Sequence, residues 1–246
     1  MDRLIWTAVS GMSASMARQR MTANNMANAQ TIGFRAEIMQ FTPVTVKGSQ
    51  VETRALTEGE VRSARMEAGS LVETGRPLDI ALSGEALLGV QAENGGEAYT
   101  RRGDLSLLPS GLLVNGEGRP VLGEGGPISV PPGSELSIAP DGAVLVRDAA
   151  TPDAPLAQLD KLRLASPAGS KIAKGLDGLF RVEGGGVLPT DPEARLTSGS
   201  LEQSNVRPSE VLVQMVEAQR LYDMRTKLVA TAKELDEGGA ALMRLT

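Results

Sequence analysis

Proline is absent before Pro43 and after Pro208, and 23 of the 28 glycines fall between Gly59 and Gly199. Both residues interrupt helices and favour turns. Long helices are therefore confined to the two ends of this 246-residue chain, and the middle must be assembled from short extended segments. Aromatic residues are only 2% of the chain, which leaves Leu, Val, Ile, Ala and Met to fill a core.

The N-terminal segment carries a heptad. Ile5, Val9, Met12, Met16, Gln19, Ala23 and Met26 are spaced 4, 3, 4, 3, 4 and 3. That spacing is the a/d seam of a coiled coil, with Gln19 a polar residue of the kind that fixes register. The same spacing also suits an ordinary amphipathic helix packed on its own domain, and periodicity alone leaves both open. The helix gives way to Asn24, Asn25, Asn28, Thr31, Gly33 and Phe34. Asn and Gly accept the left-handed conformation that ends helices, and Asn side chains bond free backbone groups.

The C-terminal helix is expected to start at Pro208–Glu210, with Ser209 as N-cap, and to run to about Leu235, where Asp236-Glu237-Gly238-Gly239 interrupts it. One seam comprises Val211, Met215, Ala218, Tyr222, Val229 and Ala232, and a second Leu221, Met224, Leu228, Thr231 and Leu235. The two seams lie about 100° apart, so the apolar arc is wide. A helix with two apolar seams needs more than one neighbour, and the surplus face points to other subunits or to a buried position in a larger domain.

Between the helices, short strands are expected at Phe41–Val46, Leu78–Leu82, Leu87–Val90, Leu105–Leu108, Leu112–Val114, Leu136–Ile138 and Ala143–Val146. Turn signals such as Asn94-Gly95-Gly96, Asn115-Gly116 and Pro140-Asp141-Gly142 separate several of them. This spacing fits a meandering antiparallel sheet or small barrel. Gln50–Ser70 is charged and poor in bulky apolar residues, and reads as an extended connector. The expected fold class is α+β, with the N- and C-terminal helices pairing as a coiled coil and a β-rich middle domain. The expected parts are an N-terminal helical segment (1–33), a connector (34–73), a β-rich middle (74–197) and a C-terminal segment with its helix (198–246).

Several functions are excluded or disfavoured. With no Cys and no His, the chain lacks disulfides, thiol nucleophiles, the usual zinc ligands and His-based acid–base catalysis. A net charge of −5 with no basic, aromatic-interleaved cluster argues against nucleic acid as a partner. No apolar run reaches the roughly 18–20 residues of a membrane span. Leu4–Ala17 is uncharged, but it is diluted by Thr7, Ser10, Gly11, Ser13 and Ser15, and its periodicity continues to Met26, so a cleaved signal peptide is not expected. The glycine clusters complete no phosphate-binding or dinucleotide motif, and acidic pairs such as Asp148/Asp153 and Asp177/Glu183 lack any catalytic context. No catalytic, cofactor or metal residues are assigned. The enzyme alternative is a cell-wall hydrolase with a coiled-coil appendage, which would need paired carboxylates in a cleft.

The segment ANNMANAQTIGF (Ala23–Phe34) resembles the N-terminal signature of bacterial flagellar rod and hook proteins, and SGSLEQSNV (Ser198–Val206) their second signature. TGRPLDIALSGEALLGV (Thr74–Val90) and YTRRGDLSLLPSGLLVNGEGRPVLG (Tyr99–Gly123) are similar to the family's middle-domain core. Where the family usually has a Phe pair, this chain has Ala86-Leu87-Leu88. The length and the start MDRLIW are most similar to the proximal-rod members, with distal-rod or hook-type membership as the alternative. The resemblance implies a structural subunit of a hollow helical tube that transmits torque and forms part of the export channel. Terminal helices would line the tube, with the β domain outward. Implied partners are copies of itself, distal-rod and other proximal-rod subunits, and the flagellar type III export apparatus; implied location is the basal body in the periplasm, reached without a cleaved signal. The expected assembly residues are Ile5, Val9, Met12, Met16, Gln19, Asn24, Asn25, Met26, Asn28, Thr31, Gly33, Phe34, Ser204, Asn205, Val211, Met215, Tyr222 and Leu228.

Overall fold

Among the described residues the two ends are helical and the segments between them are strands joined by turns and loops, in keeping with the proline and glycine distribution. The computed structural model describes residues 2–47, 52–148 and 155–243; the side chains of 2–8, 40–62, 236 and 239–243 lie outside that description. The chain divides into two units.

The first unit comprises residues 1–27, 37–63 and 207–246. It contains helix α1 (Asp2–Ala27), strands β1 (Glu37–Lys47) and β2 (Glu52–Ala64), and helix α2 (Pro208–Met243). The helices pack against each other, and α1 also touches β1. β1 and β2 pair as a two-stranded sheet, so the stretch read as an extended connector is largely one arm of a strand pair. Pro208 opens α2, within the expected Pro208–Glu210, so Ser209 lies inside the helix and not at its N-cap; the Arg207 carbonyl accepts the Val211 N–H at 3.1 Å. Proline suits a first helical position because the N–H it lacks would have had no partner there. At the other end, α2 continues through Gly238-Gly239 to Met243. A helical glycine costs about 1 kcal/mol relative to Ala, which weakens a helix without ending it when no proline follows.

The second unit comprises residues 28–36 and 64–206. Its strands are β3 (Leu71–Glu73), β4 (Ile80–Leu82), β5 (Leu87–Gln91), β6 (Glu97–Thr100), β7 (Leu105–Leu107), β8 (Leu113–Asn115), β9 (Leu122–Gly123), β10 (Gly126–Pro127), β11 (Ser134–Ile138), β12 (Ala143–Asp148), β13 (Ala157–Lys161), β14 (Leu164–Ala165), β15 (Ile172–Lys174), β16 (Phe180–Val182), β17 (Leu196–Ser198) and β18 (Ser200–Glu202). All registered pairs are antiparallel. The largest sheet has the order β14-β5-β6-β16-β15. Successive strand residues face opposite sides, and here both sides are covered. Leu88, Val90 and Ala98 join the main core with Ile80, Leu105, Leu113, Val121, Ile128 and Leu162. Leu87, Tyr99, Phe180 and Leu188 form a second core. Leu87 and Leu88, at the position of the family's Phe pair, are both fully buried.

Near the chain's end, β17 and β18 pair with β4 and β3 respectively, on either side of Gly199. Gly199 closes the join: its N–H donates to the Asp79 carbonyl at 2.7 Å, and its carbonyl accepts from Thr74 and Gly75. The second signature is thus woven into the β unit by strand pairing.

Candidate assembly site

Two places gather the residues expected to matter for assembly, one in each unit.

The first is the helix pair. Its inner seam is narrower and more polar than the heptad suggested. The Arg225 guanidinium donates to the Gly11 carbonyl and to Ser15 Oγ, and it lies so close that a Cβ at Gly11 would sit 3.3 Å from its Nε. Gln19 Nε2 donates to Gln219 Oε1 at 3.0 Å, and Thr226 Oγ1 meets Met12 Sδ at 4.0 Å. Burial together with the Arg18 charge lowers the Arg225 pKa. Small side chains on α1 (Gly11, Ser15) let the helices approach with a guanidinium between them. From α2, Val211, Ala218 and Ala232 are buried, with Tyr222 and Val229 half-buried, so most of the first predicted seam is turned inward. The second seam faces outward: Met224 is 58%, Leu228 58% and Leu235 64% exposed. Met215, of the first seam, is also exposed, as are Val9 and Met16 of the heptad, while Met12, Gln19 and Met26 are half-buried. The Ile5 side chain lies outside the described residues.

The asparagines at the end of α1 divide their work. Asn25 is buried and exchanges two hydrogen bonds with the Glu37 backbone, its Oδ1 accepting at 2.8 Å and its Nδ2 donating at 3.0 Å. It thereby serves β1 as a strand neighbour would. Asn24 Nδ2 reaches Glu37 Oε1 at 2.6 Å.

The second place is a clasp in the β unit, where the two signature segments meet. Asn28 begins it: its carbonyl accepts the Thr31 N–H and its Oδ1 the Thr31 hydroxyl, both at 3.1 Å. Gly33 then adopts φ 66°, and its N–H donates to the Glu202 carbonyl at 2.8 Å. A side chain could not replace it, because a Cβ there would lie 2.5 Å from the Arg101 carbonyl carbon. Phe34 is half-buried under Lys174, whose Nζ stands 3.4 Å from the ring centroid and donates to the Arg35 carbonyl at 3.0 Å. Asn205 completes the contact from the other signature. Its N–H donates to the Phe34 carbonyl at 3.2 Å, its Oδ1 accepts the Ala36 N–H at 2.7 Å, and its Nδ2 donates to the Arg65 and Glu67 carbonyls, each at 2.8 Å. Ser204 Oγ accepts the Val206 N–H at 3.2 Å.

At the centre of the clasp are three buried charges that the sequence reading missed. The Glu202 carboxylate is paired with Arg101, through Nε at 2.9 Å and through Nη2, and with Arg35 Nη2 at 2.8 Å; its Oε1 also accepts the Gly69 N–H at 2.8 Å. All three side chains are at most 1% exposed. Arg101 further donates to the carbonyls of Leu82, Gly84 and Ala86 at 2.7, 2.9 and 2.6 Å. Arg35 donates to the Glu67 carbonyl. Burial, and then the neighbouring Arg101 charge, pulls the Arg35 pKa down despite Glu202. Two guanidiniums on one carboxylate tie residues 33–35, 67–69, 82–86, 101 and 202 together. Charged residues in sequence ordinarily mean solvent, and nothing in TRRGD says that Arg101, not Arg102, turns inward.

This geometry holds the two signature segments together. Among the described residues no group of three or more acidic side chains is placed to hold a metal ion, and no helix is long and apolar enough to cross a membrane. Residues 5–35 match the flagella basal body rod protein family, residues 81–146 the D1 domain of flagellar hook protein FlgE/F/G, and residues 197–242 the C-terminal region of flagellar basal body rod FlgEFG proteins. The flagellar basal-body rod protein FlgF of Salmonella typhimurium is 41% identical, over 98% of this chain and 97% of its own. The FlgF proteins of Escherichia coli and Caulobacter vibrioides are 38% and 31% identical, covering 95% and 96% of this chain. With two signature segments clasped in one β unit, terminal helices bearing outward apolar faces, and relatives matching nearly end to end, the chain belongs to the flagellar basal-body rod protein family.

Proposed function

We propose that the chain is a structural subunit of the proximal rod, built into a hollow helical tube with copies of itself and with other rod proteins. The identity to FlgF proteins over almost the full length supports the choice of rod segment. The observation that carries the mechanism is the second seam of α2, with Met224, Leu228 and Leu235 all more than half exposed on a helix whose other seam is already occupied by α1. Buried apolar surface is worth about 25 cal/mol per Å², so the energy of burying this face is left for neighbouring subunits to release.

On this reading the helical segments 1–27 and 207–246 supply the inner-tube domain, narrower than the expected 1–33 and 198–246 because residues 28–33 and 198–206 belong to the β unit. The helix pair extends into coiled-coil-like packing with adjacent copies, and Val9, Met16, Met215, Met224 and Leu228 become core. The tube transmits torque and continues the export channel. The chain reaches it in the periplasm through the type III export apparatus. The polar inner seam sets the register of α1 on α2, and the apolar outer faces supply affinity between subunits. The role is mechanical and the chain is not an enzyme, so the cell-wall hydrolase alternative is set aside.

The test is genetic and structural. Cells whose own copy is deleted should be non-motile and carry incomplete rods, and the wild-type chain should restore both. Leu228→Asp should fail to restore them while the purified variant unfolds at the wild-type midpoint. Full motility with Leu228→Asp would contradict the proposed burial of that seam.

A further inference from the structure

We propose that Met224 is an oxidation site of the unassembled subunit: its thioether takes one oxygen atom from a peroxide, and the resulting sulfoxide keeps the chain out of the rod until it is reduced. The inference rests on the reading of the outward α2 seam as a contact between subunits.

The chain has no cysteine and 10 methionines, so all of its sulfur is thioether sulfur. Met12, Met21, Met26, Met39 and Met66 are half-buried. Met12 Sδ is met by Thr226 Oγ1 at 4.0 Å, and Met66 packs against the second core of the β unit. Among the described residues the exposed methionines are Met16, Met215 and Met224, at 42%, 36% and 58%. All three lie on the two terminal helices, and none in the β unit. An oxidant must reach the sulfur lone pair, so exposure ranks Met224 first. It sits one turn before Leu228, on the seam that continues to Leu235, and residues four apart share a helix face.

The chemistry needs only the peroxide. A sulfur lone pair attacks one oxygen of hydrogen peroxide, an S–O bond forms and the O–O bond breaks. Sulfur is oxidised by two electrons, and the second peroxide oxygen leaves as water. No bond of the chain is cleaved, and sulfoxide reductases reverse the change. The product exchanges a flexible apolar side chain for a polar one that bears a strong acceptor. On the free helix that oxygen is hydrated, and the fold is undisturbed because more than half of Met224 already faces outward. Packed against the apolar side chains of a neighbouring subunit, the same oxygen would be buried without a donor, which is unfavourable. The exposure that leaves Met224 for a neighbour therefore also opens it to oxidants, and burial in the rod closes it again. Oxidation sorts chains before assembly and spares them afterwards.

Two measurements test this. First, the purified full-length chain is treated with hydrogen peroxide and mapped by peptide mass spectrometry. Met224 should be oxidised before the half-buried methionines, with the unfolding midpoint unchanged. Second, Met224→Leu and Met224→Gln each replace the wild-type chain in cells. Glutamine keeps the unbranched shape and supplies a polar acceptor, and its incorporation into isolated basal bodies should fall to roughly a tenth of wild type or less, the factor an unpartnered buried polar group imposes. Met224→Leu should be incorporated normally, and both purified variants should unfold at the wild-type midpoint. In peroxide-treated wild-type cells the Met224 sulfoxide should accumulate in the unassembled pool and be absent from basal bodies. Oxidation of Met224 no faster than that of Met12 or Met66, incorporation of Met224→Gln equal to that of Met224→Leu, or equal sulfoxide in the two pools would overturn the inference and leave membership of the rod intact. Absence of the untreated wild-type chain from basal bodies would overturn the rod reading, and this inference with it.

Discussion

Glu202 holds the clasp between the two signature segments, and its removal should be among the most damaging single changes in the chain. Glu202→Gln preserves the shape but leaves Arg35 and Arg101 buried without an anion. Breaking a buried pair in this way typically costs about 3–5 kcal/mol, which urea unfolding of the purified protein would detect; a loss below about 1 kcal/mol would show that Arg101's three carbonyl contacts suffice. Gly33 is constrained twice, by its positive φ and by the Arg101 backbone. Gly33→Ala should therefore cost at least the ~1–3 kcal/mol of left-handed strain, with more from the collision. Phe34→Ala should cost less than a core aromatic, about 1–2 kcal/mol, because the ring is half-buried and its partner is the Lys174 cation. Tyr99 gives a pH signature. Desolvation, and then its hydrogen bond to Glu97, pushes its pKa from an ordinary 10 up to about 12. The folded state then binds the phenolic proton more tightly than the unfolded chain. Stability from this group is complete below pH 10 and lost as pH rises toward 12, and Tyr99→Phe should flatten that alkaline loss in a series of unfolding curves. The residues of the clasp were legible in part. Gly33, Asn28 and Asn205 belong to types that serve turns and backbone bonding, and they do so here. Arg35, Arg101 and Glu202 were not legible, because three charges far apart in sequence are buried only once the strands bring them together.

Helices and strands were read with different success for a physical reason. The terminal helices announce themselves through spacing and the absence of proline, and both formed. The heptad residues Met12 and Gln19 do meet α2, but the contact also runs through Gly11 and Ser15, because a helix contact can be made by small residues admitting one arginine as well as by large apolar ones. Gly11 and Ser15 carry no hydrophobic signal, and Arg225 carries the opposite one. Of the two α2 seams, Val211, Ala218 and Ala232 are buried and Met224, Leu228 and Leu235 exposed, while Met215 of the first is exposed and Leu221 of the second half-buried. Strands such as Leu87–Val90, Leu105–Leu108 and Ala143–Val146 were found within two residues of their ends. Of those missed, β3, β15 and β18 are three residues long and take their identity from their partners, whereas the 13-residue β2 was read as a connector because its sequence is charged and poor in bulky apolar residues. Arg225 sets a prediction at this scale. Arg225→Met keeps the length but loses the bonds to Gly11 and Ser15. It should loosen the helix pair, seen as faster amide exchange in residues 9–27, while the β unit keeps its unfolding midpoint.

At the scale of the whole molecule, the β unit contains residues from before and after the β1–β2 pair, since residues 28–36 belong to it together with 64–206. It cannot be completed until the second signature, near the chain's end, is in place, because Gly33, Phe34, Arg35 and Ala36 all bond to residues 202–205. A fragment of residues 28–206 should therefore melt cooperatively, whereas 37–206, lacking Arg35 and Gly33, should melt at a clearly lower temperature; equal melting would show the clasp to be dispensable to the fold. The central claim is that the outward seam of α2 is buried in the assembled rod, and a side-chain-resolution reconstruction of isolated basal bodies containing this chain tests it most directly. The account predicts proximal-rod density in which Met224, Leu228 and Leu235 pack against helices of adjacent subunits; finding those three side chains exposed to the channel or to solvent would contradict it.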